Sequence, residues 1–200
     1  MVNRKKEILD AYIELSYINR NTGKKASAQM VADYIGCSKV LIFQYYPNVR
    51  SLSDNCFDLI CHEIKEEIKA VSVPDVIETG TIFSYLCEIW RTFFSYLVSH
   101  LAKMHFFIFY SLNYSRFPSG YNSSDAVARS ILGDRYEQFI SKCPDFMLIS
   151  EYLITVAALA ANIVQNSKNP QLVTEKISVI IMNGISAMIE QEKHDQKVND

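Results

Sequence analysis

The stretch most informative about the fold is residues 27–52, SAQMVADYIGCSKVLIFQYYPNVRSL. Ser27 and Ser38 each precede a short apolar pattern and can act as helix N-caps, because a serine hydroxyl accepts a hydrogen bond from a backbone amide of the next turn. Gly36 lies between the two patterns and can adopt the left-handed conformation that a tight turn requires. Pro47 cannot continue the second helix. These signals predict a helix-turn-helix at residues 27–46.

On both sides of this stretch, apolar residues recur at spacings of three and four with almost no strict alternation. This periodicity predicts an all-α chain. We expect a first helix at residues 4–18 and a connecting helix at 51–72, so that residues 1–50 form a three-helix domain and 51–200 a second helical domain. The further helices are predicted at 76–99, 102–114, 124–142, 145–167 and 171–191, with a loop at 117–124.

Composition excludes several classes of protein. With 200 residues, 49% of them apolar and only 21% charged, the chain can bury a core and is not of a disordered or collagen-like type. We expect a cytoplasmic protein, because the N-terminal segment lacks a secretory apolar stretch and the most apolar windows are shorter than the roughly 20 residues of a membrane span. The five cysteines show no CxxC spacing, so we expect neither a disulfide nor a zinc site.

Charge is distributed unevenly along the chain. Residues 1–50 carry eight Lys or Arg against four Asp or Glu, a net charge of +4, whereas residues 51–200 carry twelve against eighteen, a net charge of −6. A basic N-terminal region on an acidic body is typical of a protein whose N-terminal end meets a polyanion, although chance clustering on a solvated helix can give the same pattern.

The helix-turn-helix predicts which side chains face DNA. If the second helix lies in a major groove, Ser38 and Lys39 stand at its leading end, and Gln44 and Tyr45 stand one turn later. The apolar residues Val31, Ala32, Ile35, Ile42 and Phe43 are expected to pack the motif together. The residues predicted to contact DNA are Lys24, Lys25, Ser27, Gln29, Ser38, Lys39, Leu41, Gln44, Tyr45, Asn48 and Arg50.

The same stretch resembles the signature of the tetracycline-repressor (TetR) family of transcriptional regulators. The resemblance rests on a capping serine, an apolar-alanine pair, a glycine followed by an apolar residue and serine, an aromatic pair with proline, and a leucine. In this chain they are Ser27, Val31-Ala32, Gly36-Cys37-Ser38, Phe43, Tyr45-Tyr46-Pro47 and Leu52. The resemblance implies a homodimer that binds a two-fold operator in double-stranded DNA and releases it when a small molecule occupies the C-terminal domain.

Four positions depart from the family pattern. Phe43 stands where the family often has Tyr, and Val49 where it often has Lys, so two phosphate contacts are absent. Val40 and Leu41 replace small and hydroxyl residues in the recognition helix, where they can make apolar contact with a thymine methyl at most. The alternative is therefore a protein of the same fold that binds a ligand or a partner and has weak or lost operator recognition.

Aromatic residues are concentrated in the middle of the chain. Thirteen of the 24 lie between residues 83 and 121. Each could be ordinary core, but together with a few polar side chains they predict a mostly apolar cavity for a hydrophobic or aromatic effector. The predicted ligand-binding residues are Trp90, Phe94, His105, Phe109, Asn113, Tyr114, Tyr136 and Tyr152.

No local pattern indicates catalysis or metal binding. His100 and His105 lack a HExxH frame, and the chain contains neither GxSxG nor a phosphate-binding glycine loop. We therefore expect no enzyme activity, no cofactor and no metal.

The last two helices are apolar on more than one face. One face can pack inside the subunit, and the other can pair with a second copy in a four-helix bundle, unless both faces are internal core. The residues predicted at a dimer interface are Val156, Ala157, Ala160, Ile177, Ile181, Gly184, Ile185 and Met188.

Overall fold

The computed structural model describes residues 4–71, 82–113, 123–143 and 145–199, and these residues are helical with no β-strand. The all-α prediction is confirmed. Two short 3-10 segments, Asn19–Asn21 and Gly133–Arg135, lie between α-helices. The helices are α1 (Arg4–Ile18), α2 (Ala28–Ile35), α3 (Lys39–Tyr45), α4 (Val49–Lys69), α5 (Ile82–Ser99), α6 (Leu101–Asn113), α7 (Ser123–Leu132), α8 (Tyr136–Lys142), α9 (Phe146–Gln165) and α10 (Pro170–Asn199).

The first three helices form the predicted helix-turn-helix arrangement. The Ser27 hydroxyl accepts a hydrogen bond from the amide of Met30 at 3.2 Å, and the Ser38 hydroxyl accepts one from the amide of Leu41 at 3.1 Å. Each such cap stabilises a helix by about 1 kcal/mol. Gly36 ends α2 with φ of 66°, in the left-handed region that glycine adopts without a steric penalty. The turn between α2 and α3 therefore follows from the local sequence.

Helix α4 connects this motif to the rest of the molecule. It begins at Val49, two residues before the predicted start, because the Asn48 side chain accepts a hydrogen bond from the amide of Ser51 at 2.8 Å and so caps the helix directly after Pro47. Its 21 residues span about 30 Å. Since α4 packs against α1, α5, α6 and α7, it crosses the whole subunit.

Two helix predictions are corrected by the structure. A single helix at 124–142 is wrong, because the chain breaks at Gly133, whose φ is 57°, and continues through the 3-10 segment into α8. The last helix runs to Asn199 rather than residue 191, because the segment after Gly184 contains no proline or glycine and is rich in good helix formers. The start predicted for α5 at residue 76 and most of the predicted loop at 117–124 lie outside the described residues.

The core of the body is mainly aromatic and aliphatic. Trp90, Phe94, Phe107, Tyr136 and Phe139 are among the largest fully buried side chains. Trp90 stacks on Phe94 with ring centroids 5.1 Å apart. Some of the aromatic residues that suggested a cavity, such as Phe94 and Phe107, are therefore ordinary core.

Candidate DNA interface and effector cavities

The predicted recognition helix, α3, presents a mixed basic and apolar face to solvent. Lys39, Val40, Gln44 and Tyr45 are exposed, and 67% of the Val40 surface and 37% of the Tyr45 surface are accessible. Ile42 is fully buried and anchors the opposite face. A helix that buries one face and exposes polar, basic and aromatic groups on the other has the form needed to enter a major groove.

Several predicted DNA contacts also serve as structural groups. The side-chain oxygens of Ser27, Ser38 and Asn48 cap α2, α3 and α4, and the Gln29 amide donates a hydrogen bond to Asp33 at 2.8 Å. A capping hydroxyl or amide still has a donor for a phosphate oxygen. Leu41 is half-buried. Ser27, Ser38 and Asn48 therefore each hold a helix end, whatever further contact they make.

The cationic residues around the motif are exposed. Lys24 and Lys25 precede α2, and Arg50 lies in the first turn of α4. Lys39 lies over the Phe43 ring, with its amino nitrogen 5.6 Å from the ring centroid. Such an arrangement leaves positive charge available for phosphates, whose neutralisation dominates the affinity of most DNA-binding proteins.

One basic residue near this face was missed by the sequence reasoning. The amino nitrogen of Lys5 lies 5.9 Å from the centroid of the Tyr45 ring, so the N-terminal end of α1 adds a cation beside α3. The Tyr46 hydroxyl donates a hydrogen bond to the Lys5 carbonyl at 3.2 Å and fixes this approach. Sequence pattern alone could not place Lys5 beside Tyr45, because the two residues are 40 positions apart and meet only through the tertiary arrangement of α1 and α3.

A small apolar cavity lies in the body of the molecule and is called the body cavity below. Its volume is about 80 Å³. Ser150 is the polar side chain in its wall, and Ile68 of α4 contributes directly to it. The remaining wall residues are Leu86, Ile89, Trp90, Phe93, Val127, Ala128, Ile131, Leu132, Phe146, Leu153 and Ile154. The indole Nε1 of Trp90 is buried and has no hydrogen-bond partner among the described residues.

A second cavity lies where α1 and the segment before α2 meet α4 and α6, and is called the junction cavity below. Its volume is about 260 Å³. Tyr12 and Ser16 come from α1, and His105 and Phe109 come from α6. The other wall residues are Asn19, Arg20, Gly23, Lys24, Lys25, Ala26, Ser53, Phe106 and Tyr110.

The predicted ligand-binding residues are divided between several places. Trp90 lines the body cavity, and His105 and Phe109 line the junction cavity. Phe94 is fully buried and lines neither of the two. The side chain of Asn113 and the whole of Tyr114 lie outside the described residues. The structure therefore does not bring this set together in one site.

Two further members of that set make contacts inside the subunit. The Tyr136 hydroxyl donates a hydrogen bond to the buried Asp125, and the Arg129 guanidinium lies 4.0 Å from the Tyr136 ring centroid. Tyr152 lies beside Gly184, where a Cβ would be 3.1 Å from the Tyr152 hydroxyl. Gly184 thus allows close approach of α9 and α10 within one subunit.

The Glu63 cluster joins the helix-turn-helix region to the body. The Glu63 carboxylate, on α4, accepts hydrogen bonds from Lys6 of α1 at 2.8 Å, Tyr96 of α5 at 2.5 Å and Lys103 of α6 at 2.5 Å. Partial burial would raise the pKa of Glu63, but the hydrogen bonds from Lys103, Lys6 and Tyr96 outweigh it and lower the pKa to about 2. Glu63 therefore stays ionised and holds four helices together.

The two C-terminal helices carry an exposed apolar face, called the C-terminal apolar face below. It consists of Leu148, Leu159 and Ile163 on α9 and Leu172, Val179 and Ile180 on α10, and Leu159, Val179 and Ile180 are 60% to 67% accessible. Single exposed apolar residues are common on protein surfaces, whereas several large ones on one helix pair form an apolar patch.

The residues predicted at the dimer interface are mostly not part of this face. Ala157, Ala160, Ile181 and Ile185 are buried within the subunit, because they fill the contact of α9 with α10 and the core. Val156 and Ile177 are half-buried, and the side chain of Met188 lies outside the described ones. Four of the eight predicted residues are therefore covered inside one subunit, and both the interface and dimerisation itself stay predictions.

The described ranges contain no group of three His, Cys, Asp or Glu side chains placed to hold a metal ion. In the same ranges, every helix is too short or too polar to cross a bilayer.

Comparisons with known proteins bear on the fold. No family model matches the sequence, and no curated protein is similar to it. Among solved structures, a protein from Shewanella sp. PV-4 assigned to the TetR family of transcription regulators superposes with a TM-score of 0.66 at 17% identity, over 91% of this chain and 97% of that one. A TetR-like transcriptional regulator from Rhodococcus sp. RHA1 gives a TM-score of 0.64 at 14% identity, over 93% of this chain and 97% of that one. The chain therefore has, over nearly its whole length, the fold of TetR-type transcription regulators.

Proposed function

We propose that the protein is a cytoplasmic, homodimeric, non-enzymatic DNA-binding transcription regulator of the TetR type. In this proposal it acts as a repressor that leaves its operator when a small apolar effector enters the body cavity. The observation that carries the proposal is the course of α4, which begins at Val49, four residues after the recognition helix ends at Tyr45, and lines the body cavity with Ile68 near its other end.

DNA binding is supported by the exposed face of α3 and by the cations around it. Lys5, Lys24, Lys25, Lys39 and Arg50 carry positive charge on the same region, and Asn48 and the two capping serines add donors. Phosphate contacts of this kind position a protein, and Lys39, Gln44 and Tyr45 are placed to reach base edges. Exposed Val40 can meet a thymine methyl.

Dimerisation is supported by the C-terminal apolar face. On α9, Leu159 and Ile163 are four residues apart, and on α10, Leu172 and Val179 are seven apart, so each pair lies along one side of its helix. A second copy would cover both sides in a two-fold, four-helix arrangement. Two recognition helices at a fixed spacing would then match a two-fold operator.

The effector class follows from the body cavity. Its wall is almost wholly apolar, so a charged ligand would lose its hydration without compensation. At about 80 Å³ the cavity is well below the 300 Å³ or more of most ligand sites, and an effector must therefore push the surrounding helices apart.

Such an expansion has a direct path to the DNA-binding region. Displacement of Ile68 tilts α4, and a tilt of about 5° over a helix of about 30 Å moves the far end by nearly 3 Å. That movement acts beside α3 and changes the spacing of the two recognition helices in a dimer. Effector and operator would then weaken each other's binding by the same factor.

The test of DNA binding is fluorescence anisotropy with the protein's own upstream DNA and a random duplex of equal length, across a salt series. A specific regulator should prefer the upstream fragment by about a thousandfold or more. Lys39→Gln should weaken binding and should reduce the slope of log affinity against log salt concentration by about 1. Glu151→Gln, at an exposed position far along the chain, is the control and should leave binding unchanged.

The second candidate is a ligand-binding or interaction protein with this fold and little operator recognition. It is favoured by one observation, the apolar surface of Val40 at the point where a base-reading side chain is expected. In that case the two duplexes would bind equally, or neither would bind at low salt.

The test of effector binding uses the single tryptophan. Trp90 lines the body cavity, so an uncharged apolar probe without fluorescence of its own, such as cyclohexanol, should change the Trp90 fluorescence. Ala128→Leu fills the same cavity and should abolish the change. An unaltered response in this variant would place the probe elsewhere.

A further inference from the structure

The junction cavity differs from the body cavity in size, position and charge. It is about 260 Å³, close to the lower end of the range for ligand sites and enough for a ligand of about one aromatic ring. It lies between the helix-turn-helix region and the body, because its walls come from α1, the segment before α2, α4 and α6. Nothing in the proposed regulation by the body cavity uses it.

One side of the junction cavity is aromatic. Tyr12 of α1 and Phe106, Phe109 and Tyr110 of α6 form this part of the wall, and the rings of Tyr12 and Phe106 meet edge to face at 6.0 Å. The ring of His105 is nearly parallel to that of Phe109, with centroids 6.5 Å apart. Such walls favour a flat apolar group.

The other side is basic. Arg20, Lys24 and Lys25 line the cavity, and none of the described residues in its wall is Asp or Glu. None of the three forms an ion pair with a carboxylate of the described residues. The Arg20 guanidinium is held in place by the Tyr17 ring, 3.9 Å from its centroid, and by a hydrogen bond to the Tyr17 carbonyl at 2.9 Å. An oriented guanidinium beside two lysines is suited to a carboxylate.

Two buried polar atoms of wall residues are also unmatched. Within the described part of the chain, Nδ1 of His105 and Nδ2 of Asn19 have no hydrogen-bond partner. Leaving a buried polar group unpaired is unfavourable, so a polar ligand atom that reaches either of these atoms would be stabilised. Burial, followed by the positive charge of Arg20, lowers the pKa of His105, so that its ring is neutral at pH 7 and can still donate or accept.

We propose that the junction cavity binds a small aromatic carboxylate, with its ring between α1 and α6 and its carboxylate on Arg20, Lys24 and Lys25. Binding would occupy two lysines that are predicted to contact DNA phosphates. Any resulting loss of operator affinity rests on the proposed function, whereas the binding itself does not.

The test is calorimetric titration of the full chain, without DNA, with sodium benzoate, sodium acetate and benzyl alcohol. Benzoate combines the ring and the charge and should bind about tenfold or more tightly than either of the others. Equal affinity for acetate would overturn the role of the aromatic wall. Equal affinity for benzyl alcohol would overturn the role of the basic wall.

Variants locate the site. Arg20→Gln should weaken benzoate binding about tenfold or more, and Lys24→Gln should also weaken it. Arg50→Gln changes the net charge equally at an exposed position outside the cavity and should have no effect. Because Arg20 is exposed and its side-chain hydrogen bond and ring contact are both made to Tyr17 in the same turn, Arg20→Gln should melt at nearly the same temperature as the parent protein.

Three results would overturn the proposal. The first is an Arg20→Gln variant that binds benzoate as tightly as the parent protein does. The second is an Arg50→Gln variant that loses as much benzoate affinity as Arg20→Gln. The third is loss of benzoate binding in Ala128→Leu, which would place the ligand in the body cavity. Failure of operator binding in the separate DNA titration would leave these results unaffected, so the two proposals can fail independently.

Discussion

Replacing Glu63 by Gln should destabilise the protein at neutral pH and should do so less as the pH falls. The carboxylate accepts three hydrogen bonds from α1, α5 and α6, and its pKa is lowered from 4.5 to about 2. A carboxylate whose pKa is lower in the folded state than in the unfolded state stabilises the fold. This contribution is complete above the pKa of the unfolded state and is lost as the pH falls toward the pKa of the folded state. The relevant window is therefore about pH 4.5 down to pH 2.

The size of the effect follows from the same values. Lowering the pKa from 4.5 to about 2 corresponds to at most about 3 kcal/mol. Glu63 and its lysine partners are partly exposed, with side chains 19% to 45% accessible, so solvent screening reduces the expected contribution to about 1–2 kcal/mol. By pH 3 less than half of it should remain, because the unfolded chain is by then largely protonated at this position.

The measurement is urea unfolding of Glu63→Gln and the parent protein at pH 7 and at pH 3. Glu67→Gln is the matched control, since Glu67 is an exposed carboxylate on the same helix. The difference in unfolding free energy between the parent protein and Glu63→Gln should be smaller at pH 3 than at pH 7. Glu67→Gln should have the unfolding free energy of the parent protein at both pH values. Equal stability of Glu63→Gln and the parent at pH 7, or a difference that does not change with pH, would refute the reasoning.

Three other perturbations have expected outcomes. Gly36→Ala should lower the unfolding free energy by about 1–2 kcal/mol, because φ is positive there, and Gly36→Asn should cost less; thermal denaturation followed by circular dichroism compares them. Leu159→Glu should convert a dimer to monomers in light scattering with the fold retained, whereas the exposed Glu151→Leu should not, and a monomeric parent protein would contradict the proposed interface. Ala128→Leu should raise the melting temperature by filling the body cavity, and a lowered melting temperature would show that the cavity cannot take the three added carbon atoms.

Local patterns predicted the helix-turn-helix correctly because its signals lie within a few residues of one another. Serine caps, a left-handed glycine and a proline stop act through neighbouring backbone groups, so residues 27–46 contain what is needed to form α2, the turn and α3. Predictions that required a long uninterrupted pattern were less accurate. Apolar spacing alone did not reveal the break at Gly133, since glycine is compatible with both a weak helix and a turn.

The candidate ligand sites depended on packing between distant segments. His105 and Phe109 could be selected from sequence as aromatic and polar groups in an apolar region, but their partners Arg20 and Asn19 lie more than 80 residues away. Tyr136 matched the same description and proved to be bonded to a buried aspartate. Residue type could not separate these cases, because the difference lies in what each side chain contacts.

By itself the sequence determined the helical class, the position of the helix-turn-helix and the basic character of the N-terminal quarter, since these depend on local caps, periodicity and charge. Only the tertiary structure decided which face of α9 and α10 stays exposed, where Lys5 lies, and how α1, α4 and α6 enclose the junction cavity. The physical reason is that periodicity identifies an apolar face of a helix, whereas the crossing of several helices decides which part of that face is covered and where space remains between them.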